Sequence, residues 1–408
     1  MHILLIHQAF TKLDEPGGTR HYEIARILAK KGNTVTIIAS PISYLTGRKN
    51  KTNSQERSQV PGITIYRVAT YPALHKSFFH RLISFSSFMV SSFFKCLKIK
   101  NIDVVWGTSP PIFQAFTAWL IARLKRVPYL LEVRDLWPEF AIAVGVLKNK
   151  FIIHLSLWLE KFLYKNADQI IVNSPGFIKH VKSKGGQHIN LVPNGSDISM
   201  FDPNLYGRVF RKKHELNNKF IVLYAGAHGM SNDLGIILKA AQIIQHYENI
   251  RIVLIGDGKE KPNLKLQAKT MKLHNLIFLD PVPKNKMKEV LAAANACIAI
   301  LKPLNVYKTT YPNKVFDYMA AGRPIILAIN GVIRDVVKKA GCGIFVTPGN
   351  AQDMSYAILY YYKNQSIAKK MGRAGRKFIR CEFNRTKSAN QLINIVEGMR
   401  NRNGRKKY

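Results

Sequence analysis

The residues of this 408-residue chain best suited to chemistry fall in a few short stretches. "YPNKVFDYMAAGRPII", Tyr311 to Ile326, sets Asp317 on what reads as a short helix, between a lysine and an "AAGRP" breaker. "LLEVRDLWPEF" ends a strand with Arg134, Asp135 and Trp137, and charged residues at the carboxyl end of a strand face a ligand more often than a core. Three loops are rich in glycine. "EPGGTRHYEIARILAKKG" puts Gly17 and Gly18 ahead of a helix, "LYAGAHGMSNDLG" puts Gly226 and Gly229 after a strand, and "VLIGDGKEKPNL" does the same with Gly256 and Gly258. Backbone without a Cβ lets a ligand approach closely, and N–H groups at a helix start suit an anion. Any one such loop alone reads more readily as a structural turn; three on two separate sheets point to a ligand cleft between domains. Neither GxGxxG nor GxxxxGK[ST] occurs at these loops, which argues against a dinucleotide oxidoreductase or a P-loop ATPase. No Ser, His and Asp arrangement, no glycosidase-type carboxylate pair and no metal-ligand cluster is apparent, so neither metal nor cofactor is expected. Structural readings stand beside these: Asp317 as an acid favoured by the helix dipole, Arg134 and Asp135 as a local ion pair.

The elements that must position these residues are legible as alternation. Short apolar runs alternate with longer amphipathic ones, the pattern of strand and helix units building a mostly parallel sheet. The pattern occurs twice: "HILLIH", "TVTIIAS", "ITIYRV", "DVVWGTS", "PYLLEVR" and "QIIVNS", then "FIVLYAG", "RIVLIGDG", "LIFLD", "ACIAIL", "RPIILAI" and "GIFVT". Between the two series lies "LVPNGSDISMFDPNLYGR", whose Pro, Asn, Asp and Gly mark a linker, with the boundary near Asn194 to Phe210. The expected division is residues 1–195, residues 196–378, and a closing helix with a basic tail over 379–408.

Composition narrows the class. Lys and Arg number 62 against 24 Asp and Glu, a formal charge of +38, while hydrophobic residues make up 47%; the chain is globular and strongly cationic. No apolar run reaches the roughly 18 residues of a membrane span. The start "MHILLIHQAF" reads as a strand rather than an export signal, which gives a cytoplasmic expectation. Cys96, Cys297, Cys342 and Cys381 are far apart and read as thiols in a reducing compartment. The charge alone suits any polyanion, but no helix-turn-helix, RNP or zinc-finger pattern is present, so no specific nucleic acid is expected. From Arg57 to Ile102 there is no acid at all. Within that span "SFFHRLISFSSFMVSSFFKCLKIK" sets His80, Ser84, Ser87, Ser91, Lys95 and Lys98 opposite Phe78, Leu82, Phe85, Met89 and Phe93. Such a helix either packs on the first sheet or lies on an anionic bilayer.

The ordered set "EPGG", "VRDLWPE", "VPNGSD", "YAGAHG", "LIGDGKEK" and "YPNKVFDYMAAGRPII" resembles the retaining glycosyltransferases of the GT-B fold, in the family-4 group, particularly bacterial members of surface-polysaccharide (O-antigen or capsule) assembly. The likeness runs from the first strand to about Phe378. It implies an α/β architecture of two Rossmann-like, doubly wound domains facing a central cleft, the first receiving the acceptor and the second a nucleotide sugar. The closing helix and tail are then expected to pack back toward the N-terminal domain. In the family's acidic motif two carboxylates are separated by seven residues, and the second bonds the ribose hydroxyls. Asp317 holds that second place, and two carboxylate oxygens suit a vicinal diol. Thr309 holds the first, where a hydroxyl can bond a sugar hydroxyl but carries no charge.

By the same resemblance Lys314 meets the diphosphate, helped by N–H groups around Ala227, His228 and Gly229. "MSNDLG" lacks the family's Arg and Lys pair, which makes Lys261 a further candidate. Arg134, Asp135 and Thr309 are the implied catalytic set. Gly17, Gly18, Asn194, Gly226, His228, Gly229, Gly256, Asp257, Lys314 and Asp317 are the donor-binding set, with His228 a polar contact and not a base. The implied reaction moves a hexose-type sugar, amino or deoxy hexoses included, from UDP to a polyprenyl-diphosphate-linked saccharide. The enzyme would sit peripherally on the anionic cytoplasmic face of the inner membrane. A nucleotide-sugar 2-epimerase of the same fold and a non-catalytic polyanion-binding protein are the alternatives.

Overall fold

The computed structural model describes residues 1–49, 54–72, 78–202 and 205–405. The side chain of Phe78 and the tail residues 406–408, both part of the expectations above, lie outside the described residues. By internal contacts the chain divides into two units: Met1–Thr11, Gly18–Pro193 and Thr386–Tyr408 form one, Lys12–Gly17 and Asn194–Arg385 the other.

Every apolar run quoted above forms a strand. In the first unit these are β1 (His2–Ile6) and β2 (Thr34–Ala39), then, after the short β3 (Gln55–Arg57), β4 (Ile63–Arg67), β5 (Val104–Ser109), β6 (Tyr129–Val133) and β7 (Gln169–Val172), with β8 (Ile189–Leu191) closing the series. The sheet order is β3-β4-β2-β1-β5-β6-β7-β8, parallel except for the antiparallel β3–β4 pair. The second unit holds β9 (Phe220–Ala225), β10 (Ile250–Ile255), β11 (Leu276–Leu279), β12 (Ala296–Ile300), β13 (Ile325–Ala328) and β14 (Gly343–Phe345). Its order is β11-β10-β9-β12-β13-β14, all parallel. Helices cover both faces of each sheet, so the central strands are buried throughout and read as unbroken apolar runs rather than as alternation. Strands β3 and β8 escape such a reading because each has three residues, and β3 is polar.

In each sheet the winding reverses once, between β1 and β5 and between β9 and β12. At such a switch point adjacent strands send their following loops to opposite faces, which leaves a crevice at the carboxyl ends. The glycine loop after β9 opens at the switch point of the second sheet.

The helix Phe78–Leu97 packs on the first sheet, and this corrects its expected faces. Ser84, Phe88, Ser92 and Cys96 point inward, while Phe79, Val90, Phe94 and Leu97 are exposed. Small serines let the helix sit close to its neighbours, and the Ser92 hydroxyl is satisfied within the helix, donating to the Met89 carbonyl at 3.0 Å. Phe85 meets Phe113 of the next helix, ring centroids 5.9 Å apart. Among the described residues no helix is long and apolar enough to cross a membrane.

Candidate active site

In the second unit, the loops after β9 and β10 lock together through their glycines. Gly226 has φ +156° and Gly256 φ +150°, and a Cβ on Gly256 would lie 1.8 Å from the Gly226 carbonyl oxygen. Around them the His228 N–H donates to the Asp257 carbonyl at 2.8 Å, and the Glu260 N–H donates to the His228 carbonyl at 2.9 Å. The Asp257 carboxylate accepts from the Gly258 N–H at 2.8 Å. The helix Asn313–Ala320 then docks against the end of β9, because the Tyr318 hydroxyl accepts from the Ala225 N–H at 3.0 Å.

That docking brings Lys314 under the Gly226 loop. Its ammonium donates to the Tyr224 hydroxyl at 2.7 Å and lies 4.0 Å from the centre of the same ring. A Cβ on Gly226 would come within 2.7 Å of this nitrogen, so the glycine leaves the space that the ammonium uses. Among the described residues no carboxylate pairs with Lys314, and burial pushes it down to about 7. His228 is wholly buried beside it with neither ring nitrogen hydrogen-bonded; burial, followed by the Lys261 and Lys314 charges, holds it down at about 4. Beneath the loop thus lie a desolvated lysine and a neutral histidine, a setting that favours an incoming anion. Lys261 is committed elsewhere: its ammonium donates to the Gly256 and Leu279 carbonyls and pairs with Asp280 at 2.9 Å.

Asp317 lies one turn along the same helix, and both its oxygens are engaged. Oδ1 accepts from the Ser196 hydroxyl at 2.8 Å; Oδ2 accepts from the Lys284 ammonium at 2.5 Å and from the Asn313 amide at 3.4 Å. Lys284 is itself buried, over the Phe201 ring. Asn194 donates to the Tyr311 carbonyl at 2.7 Å, and Arg385 ties the Gly195 carbonyl to Asn313. Thr309 ends a 3-10 turn, Asn305–Thr309, and donates to the Val306 carbonyl at 2.6 Å. Gly229 leaves open space, with only the Asn232 amide near its absent Cβ. Gly17 belongs to this unit and Gly18 to the first.

Arg134 and Asp135 follow β6 in the first unit. The Arg134 guanidinium donates to the Pro110 carbonyl while its Nε has no hydrogen-bond partner. The Asp135 carboxyl is pushed up to about 6 by burial, against the pull of Arg134. Two residues earlier, Glu132 is fully buried and accepts from Arg20 at 2.9 Å, His21 at 2.7 Å and Trp106 at 3.1 Å. Burial opposes its charge, but His21 and Arg20 overcome burial and hold the carboxyl low. Arg20 also donates to the Val192 and Pro193 carbonyls. The end of β6 is therefore anchored to the helix Arg20–Lys30 and to the chain beyond β8.

Residues 17–195 match the family described as "Glycosyl transferase 4-like domain", and residues 208–378 match "Glycosyl transferases group 1". The chain is a GT-B glycosyltransferase. WcaI of Escherichia coli K12, named for colanic acid biosynthesis, is 24% identical over 312 residues, 74% of this glycosyltransferase and 76% of that protein. WbjE of Pseudomonas aeruginosa, a glycosyltransferase by name, is 24% identical over 59% of this chain and 61% of its own. The fold is shared with sucrose-phosphate synthase of Thermosynechococcus elongatus at a TM-score of 0.79 and 19% identity, covering 98% of both chains. It is shared also with Anabaena HepE, solved with UDP, at 0.72 and 15% over 98% and 100% of the two chains.

The partners of this glycosyltransferase's polar residues are what motif reading misses. Tyr224, Asn232, Lys284 and Ser196 complete the surroundings of Lys314 and Asp317, yet three of the four lie more than 80 positions away from the residue they meet. Ser196 lies inside the quoted "VPNGSD", and Tyr224 and Asn232 inside "LYAGAHGMSNDLG", where nothing in their type or spacing marks them, and Lys284 lies outside every quoted stretch. The interlocked loops give a direct test. Gly256→Ala in the GT-B glycosyltransferase sets a Cβ against backbone and lowers unfolding stability by about 3 kcal/mol or more, measured by urea titration.

Proposed function

We propose that this protein is a retaining, metal-independent hexosyltransferase that moves a sugar from UDP to a lipid-linked saccharide in the assembly of a cell-surface polysaccharide. The observation that carries the reading is the Lys314 ammonium, set against Gly226 with no carboxylate partner among the described residues. A buried cation of that kind is stabilised by the diphosphate of a donor, and the stabilisation grows as the diphosphate departs with its charge. UDP in solved relatives of the fold, and a relative named for colanic acid biosynthesis, support the donor and the pathway type.

In this reading the second unit binds the nucleotide. Asp317 accepts from the ribose, Lys314 with the Ala227 and Gly229 N–H groups holds the diphosphate, the His228 N–H being already given to Asp257, and Gly229 with Asp257 gives backbone access. Arg134 and Asp135 of the first unit act on the transferred sugar and the acceptor hydroxyl, with Thr309 a neutral contact. The acceptor hydroxyl attacks the anomeric carbon from the face that the diphosphate is leaving, and the leaving oxygen takes its proton, so that no enzymic nucleophile is needed. The acceptor's lipid places the enzyme peripherally on an anionic cytoplasmic membrane face.

The test is product formation from UDP-hexoses and a polyprenyl-diphosphate saccharide, with the new anomeric configuration read by NMR. Retention is expected. Arg134→Ala and Asp135→Ala should lower kcat by about a hundredfold with donor affinity nearly unchanged, as for interactions made mainly in the transition state. Conversion of the UDP-hexose without any acceptor identifies an epimerase instead, and inversion removes the proposed mechanism.

A further inference from the structure

Two helices of the first unit are amphipathic in the reverse sense. Along Lys150–Asn166, Phe151, Leu155, Trp158 and Phe162 recur at the spacing of one helical face. Phe151 is 76% exposed and Trp158 59%, while the opposite, buried face carries Ser156 and Glu160 beside Leu163 and Tyr164. The helix Phe78–Leu97 repeats the arrangement: Phe79 is 66% and Phe94 59% exposed, and Ser84 and Ser92 point inward. The helix Ile112–Lys125 lies between them, touching both through Phe85–Phe113 and Trp119–Phe162 ring contacts, and exposes Leu124. The three outer faces therefore belong to one side of the sheet.

Exposed aromatic stripes on adjacent helices are not explained by burial within the unit, since each helix already has a buried face. Charge selects the occupant. Each of the three helices carries Lys or Arg, and Glu160 is the only acid on any of them, buried and hydrogen-bonded to His180 at 2.7 Å. Phenylalanine, leucine and tryptophan on a cationic, acid-free surface match the interface of an anionic bilayer, where aromatic rings enter the headgroup boundary and ammonium groups meet phosphate. A polynucleotide would meet the cations but leave the aliphatic side chains wet.

We propose that the outer faces of Phe78–Leu97 and Lys150–Asn166 form one membrane-docking surface, with Phe151, Leu155 and Trp158 as its inserted anchor. The proposal rests on the membrane reading above and deepens it, naming the surface and moving its centre from the first of these helices to the second. The protein should float with vesicles of phosphatidylcholine and phosphatidylglycerol, bind phosphatidylcholine alone weakly, and release in high salt. The variant Phe151→Ser, Leu155→Ser, Trp158→Ser should lose about tenfold or more in affinity with its circular dichroism unchanged. Quenching of tryptophan emission by lipids brominated near the headgroup should be strong in wild type and largely lost in Trp158→Phe, a substitution that the exposed site tolerates. If wild type floats and both variants match it, the anchor is elsewhere and this inference falls while the membrane reading stands. If wild type ignores every vesicle, both fall. A dimer in sedimentation that the triple variant dissociates assigns the face to a second copy of the chain and also overturns the inference.

Discussion

Asp317→Ala loses donor binding and folding stability together. The stability part comes from Lys284, whose buried ammonium sits 2.5 Å from the carboxylate and loses its only paired charge among the described residues when the carboxylate is deleted. Breaking a buried ion pair from one side costs about 3 kcal/mol or more, because the surviving charge stays desolvated. The binding part, in the proposed reading, is a charge-assisted hydrogen bond to ribose, a class worth about 1.5–3 kcal/mol. The double variant Asp317→Ala, Lys284→Met separates the two. It removes both charges, and its urea midpoint should return most of the way to wild type while calorimetry with UDP still shows the loss of affinity. Recovery of affinity in the double variant would reduce Asp317 to a structural role. Loss of affinity without loss of stability would mean that Lys284 finds another partner.

Lys314→Met is expected to do the opposite to stability: a more stable protein that binds donor at least about a hundredfold less well, as happens when a desolvated functional charge is removed. The groups facing the ammonium are the Tyr224 hydroxyl, the Asn232 amide and the neutral His228, none of them anionic. With the folded value near 7, below the ordinary lysine value of 10.5, the unfolded chain binds the extra proton between those limits. Wild-type stability should therefore rise with pH from about 7 toward 10.5, and Lys314→Met should lack that rise. Donor binding carries the reverse sign, since the diphosphate favours the charged ammonium. Affinity for UDP-glucose, whose phosphates do not titrate in this range, should be flat below about pH 7 and fall above it. Calorimetry at pH 8 in two buffers of different ionisation enthalpy should show proton uptake in wild type and none in Lys314→Met. A pH-independent affinity would remove Lys314 from the diphosphate site.

The sequence makes the sheets legible for a physical reason. Strands buried on both faces must be apolar at every position, so β1, β9 and β12 stand out as runs, and the glycine loops after β9 and β10 stand out because the two loops interlock where a Cβ would clash. Helix orientation is less legible. In Phe78–Leu97 serine and phenylalanine occur on all sides, and periodicity cannot tell whether Ser84 or Phe79 turns inward. The partner of Asp317 is not legible at all, because Lys284 is one of many lysines and only the path of the chain after β11 brings it to the carboxylate. Glu132 is intermediate: an acid within an apolar strand must find a cation, but nothing in "LLEVRD" says that Arg20 and His21 supply it.

The polar residues beneath the reversed helices decide more than packing. Rolling the helix Lys150–Asn166 by half a turn would bury Phe151, Leu155 and Trp158, and hydrophobic burial alone would reward that rotation. Glu160 blocks it, being held from below by the imidazole of His180 with Lys184 at 3.7 Å. A rolled helix would forfeit those bonds and turn its apolar stripe into a space already shaped for Ser156 and Glu160. The orientation is thus keyed by a carboxylate rather than by oiliness, a means of choosing one rotational state where the stronger nonspecific force favours its mirror.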